Sequence, residues 1–241
     1  MLKNYFKIAW RNLIKRKFYT LLNISGLALG LACCILIYFY ISYQLSFDAY
    51  HPKASSTYRV VHEIFFDEVE HNKGSSIAIF NALKTEAPQV DQAALAINDQ
   101  SFVIDVVGSS KKRFKEEKNI SFTDSNWFKL FYYNWLEGSP EQLDAPNTVV
   151  LTEKLSKKYF GSAHPIGKRL MVKGYPLTVV GLLADKPFNT NFKDDMYISI
   201  LSFKLMNPQL EATYFSDWTY LMFSNNSCNL QIWLDRDSGF F

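Results

Sequence analysis

Cysteine is scarce and poorly placed for cross-linking: of three in 241 residues, Cys33 and Cys34 sit inside an uncharged run and only Cys228 lies beyond it. The region after that run therefore has no internal disulfide and must rely on its core. Signatures of chemistry are missing as well. No Cys-x-x-Cys pair, His-Glu-x-x-His helix, Gly-x-Ser-x-Gly elbow or Gly-x-x-x-x-Gly-Lys-Ser/Thr loop occurs. Without the last of these the chain has no loop to cradle the phosphates of ATP. Acidic residues are absent from the first 47 positions, whereas Lys3, Lys7, Arg11, Lys15, Arg16 and Lys17 are all basic. Subtracting those six from the 26 Lys and Arg leaves 20 against 23 Asp and Glu. The mild overall basicity thus belongs to the amino end and gives no support to nucleic-acid binding, which would need a clustered positive face on the rest.

What is present begins with residues 18–47, which carry no charged side chain. Crossing the hydrocarbon takes about 20 apolar residues in a helix, because every backbone group must be bonded within the segment. A cleaved secretory signal has a shorter apolar stretch of about 7 to 15 residues. Positive flanks stay in the cytoplasm, so the amino end is expected inside and everything after Asp48 outside. Apolar residues continue past Cys33 and Cys34, which reads them as lipid-phase hydrophobes rather than lipid-attachment sites. Gly26 and Gly30 form a Gly-x-x-x-Gly pair, a candidate face for close approach by another helix. Phe18 and Tyr19 at one end, with Tyr38, Tyr40 and Tyr43 at the other, suit the two membrane interfaces.

In residues 1–17, Leu2, Tyr5, Phe6, Ala9, Trp10 and Leu13 share one helical arc and Lys3, Asn4, Lys7, Arg11 and Lys15 the opposite one. This pattern predicts an amphipathic helix in the headgroup plane.

The remaining residues, about 190, suffice for one domain or two small lobes. Their pattern predicts mixed α and β structure. Residues 58–64 read as a strand, and residues 67–73 as an acidic, polar loop. Ser75 or Ser76 is a natural cap for a helix to about Glu86, closed by Pro88. Residues 102–107 read as a buried strand and 111–118 as a solvated charge run. Thr123 or Asp124 opens a short aromatic helix. Residues 148–151 form a strand leading into a helix over 153–160, with Thr152 as cap and Gly161 ending it in left-handed backbone. Pro165 to Gly167 makes a turn. Residues 168–172 pair with 175–181 across Lys173 and Gly174. Residues 196–200 form a further strand.

Chemistry-bearing clusters are weak. His62, Glu63, Glu70 and His71 fit no standard metal frame. Asp194 and Asp195, with Asp185, are better read as solvated loop residues, because neighbours on an extended chain point to opposite faces. His164 could join His62 and Asp185 only if folding brought them together. Trp127, Phe128, Phe131, Tyr132, Tyr133 and Trp135 read as core. No catalytic, cofactor or metal residue is assigned.

Three blocks carry a resemblance: residues 122–131 (Phe-Thr-Asp-Ser-Asn-Trp-Phe-Lys-Leu-Phe), then 136–140 (Leu-Glu-Gly-Ser-Pro), then 147–161 followed by Pro165-Ile-Gly-Lys and Val179-Val-Gly-Leu-Leu. Together with Phe6-Lys-Ile-Ala-Trp-Arg-Asn-Leu they resemble MacB-type, FtsX-like ABC transporter permeases. The resemblance implies an α+β fold: an amino-terminal amphipathic helix and single transmembrane helix, then a mixed α/β periplasmic core domain with a porter-like lobe and an inserted, mostly β lobe. The corresponding divisions are 1–17, 18–47, 48–223 and a divergent tail 224–241. Gly161, Pro165 and Gly167 match the family's structural turn positions, and no catalytic residue is inherited. The implied role is a permease subunit in the bacterial inner membrane, non-enzymatic, driven by a separate ABC ATPase and working as a homodimer or with a related permease. A membrane-tethered periplasmic binding or sensor module is the alternative. Such permeases return to the membrane with further helices, so the chain is expected to be a truncated or frame-shifted piece of one.

Overall fold

The structure is a computed structural model and describes residues 2–60, 62–65, 69–72, 74–87, 90–99, 101–108, 113–208, 215–216 and 219–224. Pro88, Lys111, Lys112, Cys228 and the tail beyond Ser224 lie outside the described residues. The chain forms two compact units, residues 1–49 and 50–241.

The first unit contains α1 (Leu2–Lys15) and α2 (Lys17–Leu45). Arg16, at φ −110° and ψ 56°, breaks the helix between them, and the Thr20 hydroxyl donates across the break to the Leu13 carbonyl at 3.1 Å. Tyr5, Phe6 and Trp10 on α1 are exposed, as the amphipathic arc requires of a helix with no core beneath it. α2 buries no residue and carries no charge after Lys17. Its 29 residues rise roughly 43 Å at about 1.5 Å each, beyond the hydrocarbon thickness of about 30 Å. It is long and apolar enough to cross a membrane.

The second unit runs in order β1 (Thr57–Arg59), β2 (His62–Phe65), β3 (Val69–Asn72), β4 (Ser75–Ser76), α3 (Ile77–Glu86), β5 (Gln92–Asp99), β6 (Phe102–Val106), β7 (Arg113–Glu116) and β8 (Ile120–Thr123). It continues with α4 (Ser125–Leu130), β9 (Trp135–Glu137), β10 (Thr148–Thr152), α5 (Glu153–Phe160), β11 (Arg169–Val172), β12 (Tyr175–Leu183), β13 (Met196–Ser199), α6 (Ile200–Met206), β14 (Phe215–Ser216) and β15 (Thr219–Ser224). Among the described residues one mixed sheet joins β1-β15-β5-β8-β13-β10-β12-β11-β6-β7, with β9 added on β12. The β8–β13 and β10–β12 pairs are parallel and the rest antiparallel. The all-β end, β11, β6 and β7, is hydrogen-bonded into this same sheet.

Both faces of the sheet are covered, so strand residues alternate between two cores. Ala93, Leu95, Ile97, Val149, Leu151, Met196 and Ile198 face the core closed by α3, α5 and α6. Ala94, Ala96, Val150 and Tyr197 face the other, closed by α4 and its aromatic continuation. Small alanines on β5 leave room there for Trp127 and Phe128.

Local signals act as expected. Ser76, Asp124 and Thr152 accept hydrogen bonds from the amides of Ile79, Asn126 and Leu155 and start α3, α4 and α5. Lys173 (φ 50°) and Gly174 (φ 84°) both take positive φ, the geometry of the tight turn between β11 and β12. Ser199 caps α6, a helix absent from the sequence expectation.

Three expectations are corrected. The predicted strand at 58–64 is two strands, β1 and β2, which enter different sheets. The predicted loop at 67–73 contains β3, which pairs with β2 so that Glu63 lies opposite His71 and Ile64 opposite Glu70. The predicted solvated run at 111–118 contains the edge strand β7, paired with β6. Its charges hide a period of two: Arg113 and Lys115 are exposed, while Phe114 packs on the Tyr159 ring at 5.0 Å and Glu116 accepts from the Tyr159 hydroxyl at 3.0 Å. Charges on an edge strand also discourage pairing with another chain.

Candidate functional site

The second unit begins at Tyr50, and its first two side chains are seated in the aromatic face of the domain. His51 is 4% exposed. Its Nδ1 accepts a hydrogen bond from the Tyr132 amide at 3.0 Å, so that nitrogen carries no proton in this contact. The imidazole lies within 4.0 Å of the Tyr50 ring centre, 5.2 Å of Phe131, 5.7 Å of Phe192 and 6.4 Å of Tyr133. Tyr50 donates through its hydroxyl to Thr190 Oγ1 at 3.2 Å, and Thr190 Oγ1 accepts also from the Phe192 amide at 3.2 Å. Two segments far along the chain, 131–133 and 190–192, thus close on the residues that follow Ala49.

A buried polar network lies beside this aromatic seat. Trp127 Nε1 donates to Tyr133 Oη at 3.0 Å, and Tyr197 Oη donates to the same oxygen at 3.1 Å. Burial holds both tyrosines well above the ordinary phenol range, so they act as neutral hydrogen-bonding struts.

Asp194 and Asp195 overturn the expectation of a solvated loop. Asp194 is 9% exposed, and burial pushes its carboxyl up to about 6, with Lys186 opposing the shift and Asp195 adding to it. Lys186 donates to the Asp194 main-chain carbonyl and sits 3.4 Å from Asp195 Oδ1. Burial also lowers the Lys186 ammonium from its ordinary range, partly offset by Asp195. One lysine thus joins the Asp194 main-chain carbonyl to the Asp195 carboxylate, and its charge offsets part of the cost of burying the Asp194 carboxyl.

The other expected residues serve elsewhere. Asp185 accepts from the Lys154 amide at 2.9 Å at the start of α5, while exposed His164 pairs with Glu137 at 2.7 Å. They engage different partners and form no catalytic constellation. His62, Glu63, Glu70 and His71 are brought together only as strand positions of the β2–β3 hairpin. Among the described residues no group of three or more His, Cys, Asp and Glu is placed to hold a metal ion. Gly161 follows α5 with φ 65° and ψ −127°, positive in φ but outside the expected left-handed helical well. Pro165 accepts from the Lys168 amide at 3.1 Å and Gly167 takes φ 78°, a turn that places the Gly167 amide on the Val179 carbonyl at 2.8 Å. Gly26 and Gly30 lie one helical turn apart on α2, with nothing within 4 Å of where a Cβ would stand.

Sequence reasoning assigned no role to Tyr50, His51, Thr190 or Lys186. Their partners are up to 140 residues away, beyond the reach of any local pattern.

A helix suited to a membrane, followed by a two-faced mixed sheet, agrees with one sequence family: that described as the MacB-like periplasmic core domain matches residues 20–228. The chain belongs to this family. Solved structures of similar fold agree with that membership. A domain from a Porphyromonas gingivalis protein described as a permease aligns with a TM-score of 0.62 at 17% identity, covering 75% of this chain and 77% of that one. The periplasmic region of MacB from Actinobacillus actinomycetemcomitans aligns with a TM-score of 0.54 at 17% identity, over 73% and 78%. The extracellular domain of the noncanonic ABC-type transporter YknZ from Gram-positive bacteria gives 0.53 at 16%, over 71% and 84%. Identities this low speak for the MacB-like fold alone. In sequence, the pyoverdine export ATP-binding/permease protein PvdT of Pseudomonas aeruginosa is 33% identical over 89 residues, which is 36% of this chain and 12% of that protein.

Proposed function

We propose that this chain supplies the first transmembrane helix and the periplasmic core of an ABC-type permease. Its work is to carry motion between the membrane and the periplasm, and it catalyses no reaction. In this reading residues 1–17 lie on the inner leaflet, 18–47 cross the inner membrane, 48–223 form the periplasmic domain and 224–241 are a divergent tail. The ATP-driven step belongs to a separate ABC ATPase on the cytoplasmic side, and the chain pairs with a second copy or a related permease through the Gly26 and Gly30 face of α2.

The observation that carries this reading is the seating of Tyr50 and His51. A domain that transmits force from a helix needs the first residues after it fixed to the core, since a slack linker would absorb the displacement. Here a buried imidazole packed among four rings and two long-range hydrogen bonds fix them within six residues of Leu45. The family match supports a periplasmic side for the domain, and the basic residues before α2 support a cytoplasmic amino end.

The test is topology in spheroplasts. With the native cysteines replaced, Lys115→Cys is expected to react with a membrane-impermeant maleimide and Asn4→Cys to react only after lysis. Reaction of Asn4→Cys in intact spheroplasts with protection of Lys115→Cys would overturn the proposal.

A further inference from the structure

The helix α1 has two chemically distinct arcs and no core beneath either. Phe6 is 74% exposed and Trp10 59%, and Tyr5 and Leu13 on the same arc are exposed with them. Lys3, Lys7, Arg11 and Lys15 are exposed on the opposite arc, and Arg16 and Lys17 continue the charge through the break. Residues 1–47 contain no acid, so these six cations have no counter-charge along their own two helices.

The join to α2 is ordered. The Arg16 amide donates to the Asn12 carbonyl at 3.2 Å and the Thr20 amide to the Arg16 carbonyl at 3.0 Å, while the Thr20 hydroxyl reaches back to the Leu13 carbonyl. These bonds hold α1 on the end of α2 rather than on a free tether. If α2 spans the bilayer, α1 is kept at the surface where α2 enters. There acyl chains can cover an aromatic arc and lipid phosphates can meet a cationic one.

We propose that α1 is a docking helix for anionic phospholipid headgroups, with its aromatic arc at the boundary of headgroup and acyl chain and its four cations on the phosphates. The partner is a negatively charged lipid surface, and the inference rests on the proposed span of α2 with a cytoplasmic amino end. A zwitterionic surface covers the aromatic arc equally well but offers the cations no net attraction. Each cation near an anionic leaflet strengthens binding roughly fivefold. Four of them make docking depend on lipid charge.

The experiment uses the full chain with its native cysteines replaced, in nanodiscs of phosphatidylcholine with or without phosphatidylglycerol. Single nitroxides stand at Phe6→Cys on the aromatic arc, Asn4→Cys on the cationic arc and Leu36→Cys within α2. With phosphatidylglycerol, the ratio of oxygen collisions to collisions with a neutral nickel chelate is expected to be several-fold higher at 6 than at 4. Without that lipid, or in about 1 M salt, the difference is expected to shrink at least twofold. Lys3→Gln, Lys7→Gln and Arg11→Gln together are expected to abolish the response to phosphatidylglycerol. Insertion at 6 that is equal in the two lipids overturns the proposal, and so do equal ratios at 4 and 6 in both. Protection of 6 from oxygen and nickel alike assigns the aromatic arc to a protein contact and overturns it too. The label at 36 separates the two readings: lipid contact there leaves the span of α2 standing whatever happens at 6, whereas its loss shows that α2 does not span, and the docking falls for that reason.

Discussion

The Tyr132 amide donates to His51 Nδ1 across 81 residues of sequence, at 3.0 Å, joining the start of the domain to the segment that follows α4. The bond is part-buried and backed by rings on several sides. His51→Ala removes the packed ring and leaves the Tyr132 amide without this acceptor. Lost packing and an unsatisfied donor together cost about 2–4 kcal/mol. Urea unfolding of the full chain in detergent, followed by tryptophan fluorescence, is expected to show that loss. Limited proteolysis is expected to cut near Lys53 faster in the variant. An unchanged unfolding midpoint would mean that the seat contributes nothing to the fold.

Asp194 makes stability depend on pH. Its folded carboxyl titrates at about 6 against an ordinary value of 3.8, and burial is the largest cause. The folded state therefore binds the extra proton between these values, so stability is highest at the acid end of the window and falls as pH rises from 3.8 to 6. Above it the ionised, buried carboxylate costs about 3 kcal/mol. Asp194→Asn keeps the main-chain carbonyl that Lys186 uses and removes the titration. The expected result is a parent whose unfolding midpoint drops as pH rises from 3.8 to about 6, and a variant with a flatter profile and a higher midpoint at about pH 8. Parallel profiles would show that the carboxylate is solvated after all.

The contrast between these sites and the rest of the fold is physical. Caps at Ser76, Asp124 and Thr152, the turn at Lys173 and Gly174, and the strand-to-helix passage from β10 to α5 depend on groups within about four residues, so the sequence displays them directly. β7 was hidden because its outward face is charged and only Phe114 marks its inward one. Asp194 reads as exposed because polarity predicts exposure, and only folding brings Lys186 onto its main-chain carbonyl. The His51 seat combines groups from three distant segments. Only the folded chain could reveal it.

Gly161 tests how α5 ends. Its φ of 65° favours glycine, while ψ of −127° lies outside the left-handed helical well that asparagine tolerates. No atom stands within 4 Å of the place a Cβ would occupy, so a clash plays no part and backbone strain alone is at stake. Gly161→Val is expected to lose about 1–3 kcal/mol by thermal or urea unfolding, and Gly161→Asn to be only slightly better. Full recovery in the asparagine variant would place the residue in the left-handed helical well instead.

Gly26 and Gly30 test association in the membrane. Both positions are open along one side of α2, and small residues one turn apart let two helix backbones approach closely. Without a hydrophobic drive between helices in lipid, that approach supplies the contact energy. Gly30→Leu inserts a branched side chain at the proposed point of closest approach and is expected to weaken self-association roughly tenfold, about 1.4 kcal/mol. Energy transfer between labelled copies diluted into lipid measures it directly. Leu36→Ala, a substitution away from the two glycines, is the control. A dimer signal as strong in Gly30→Leu as in the parent would move the contact to another face of α2 or to the periplasmic domain.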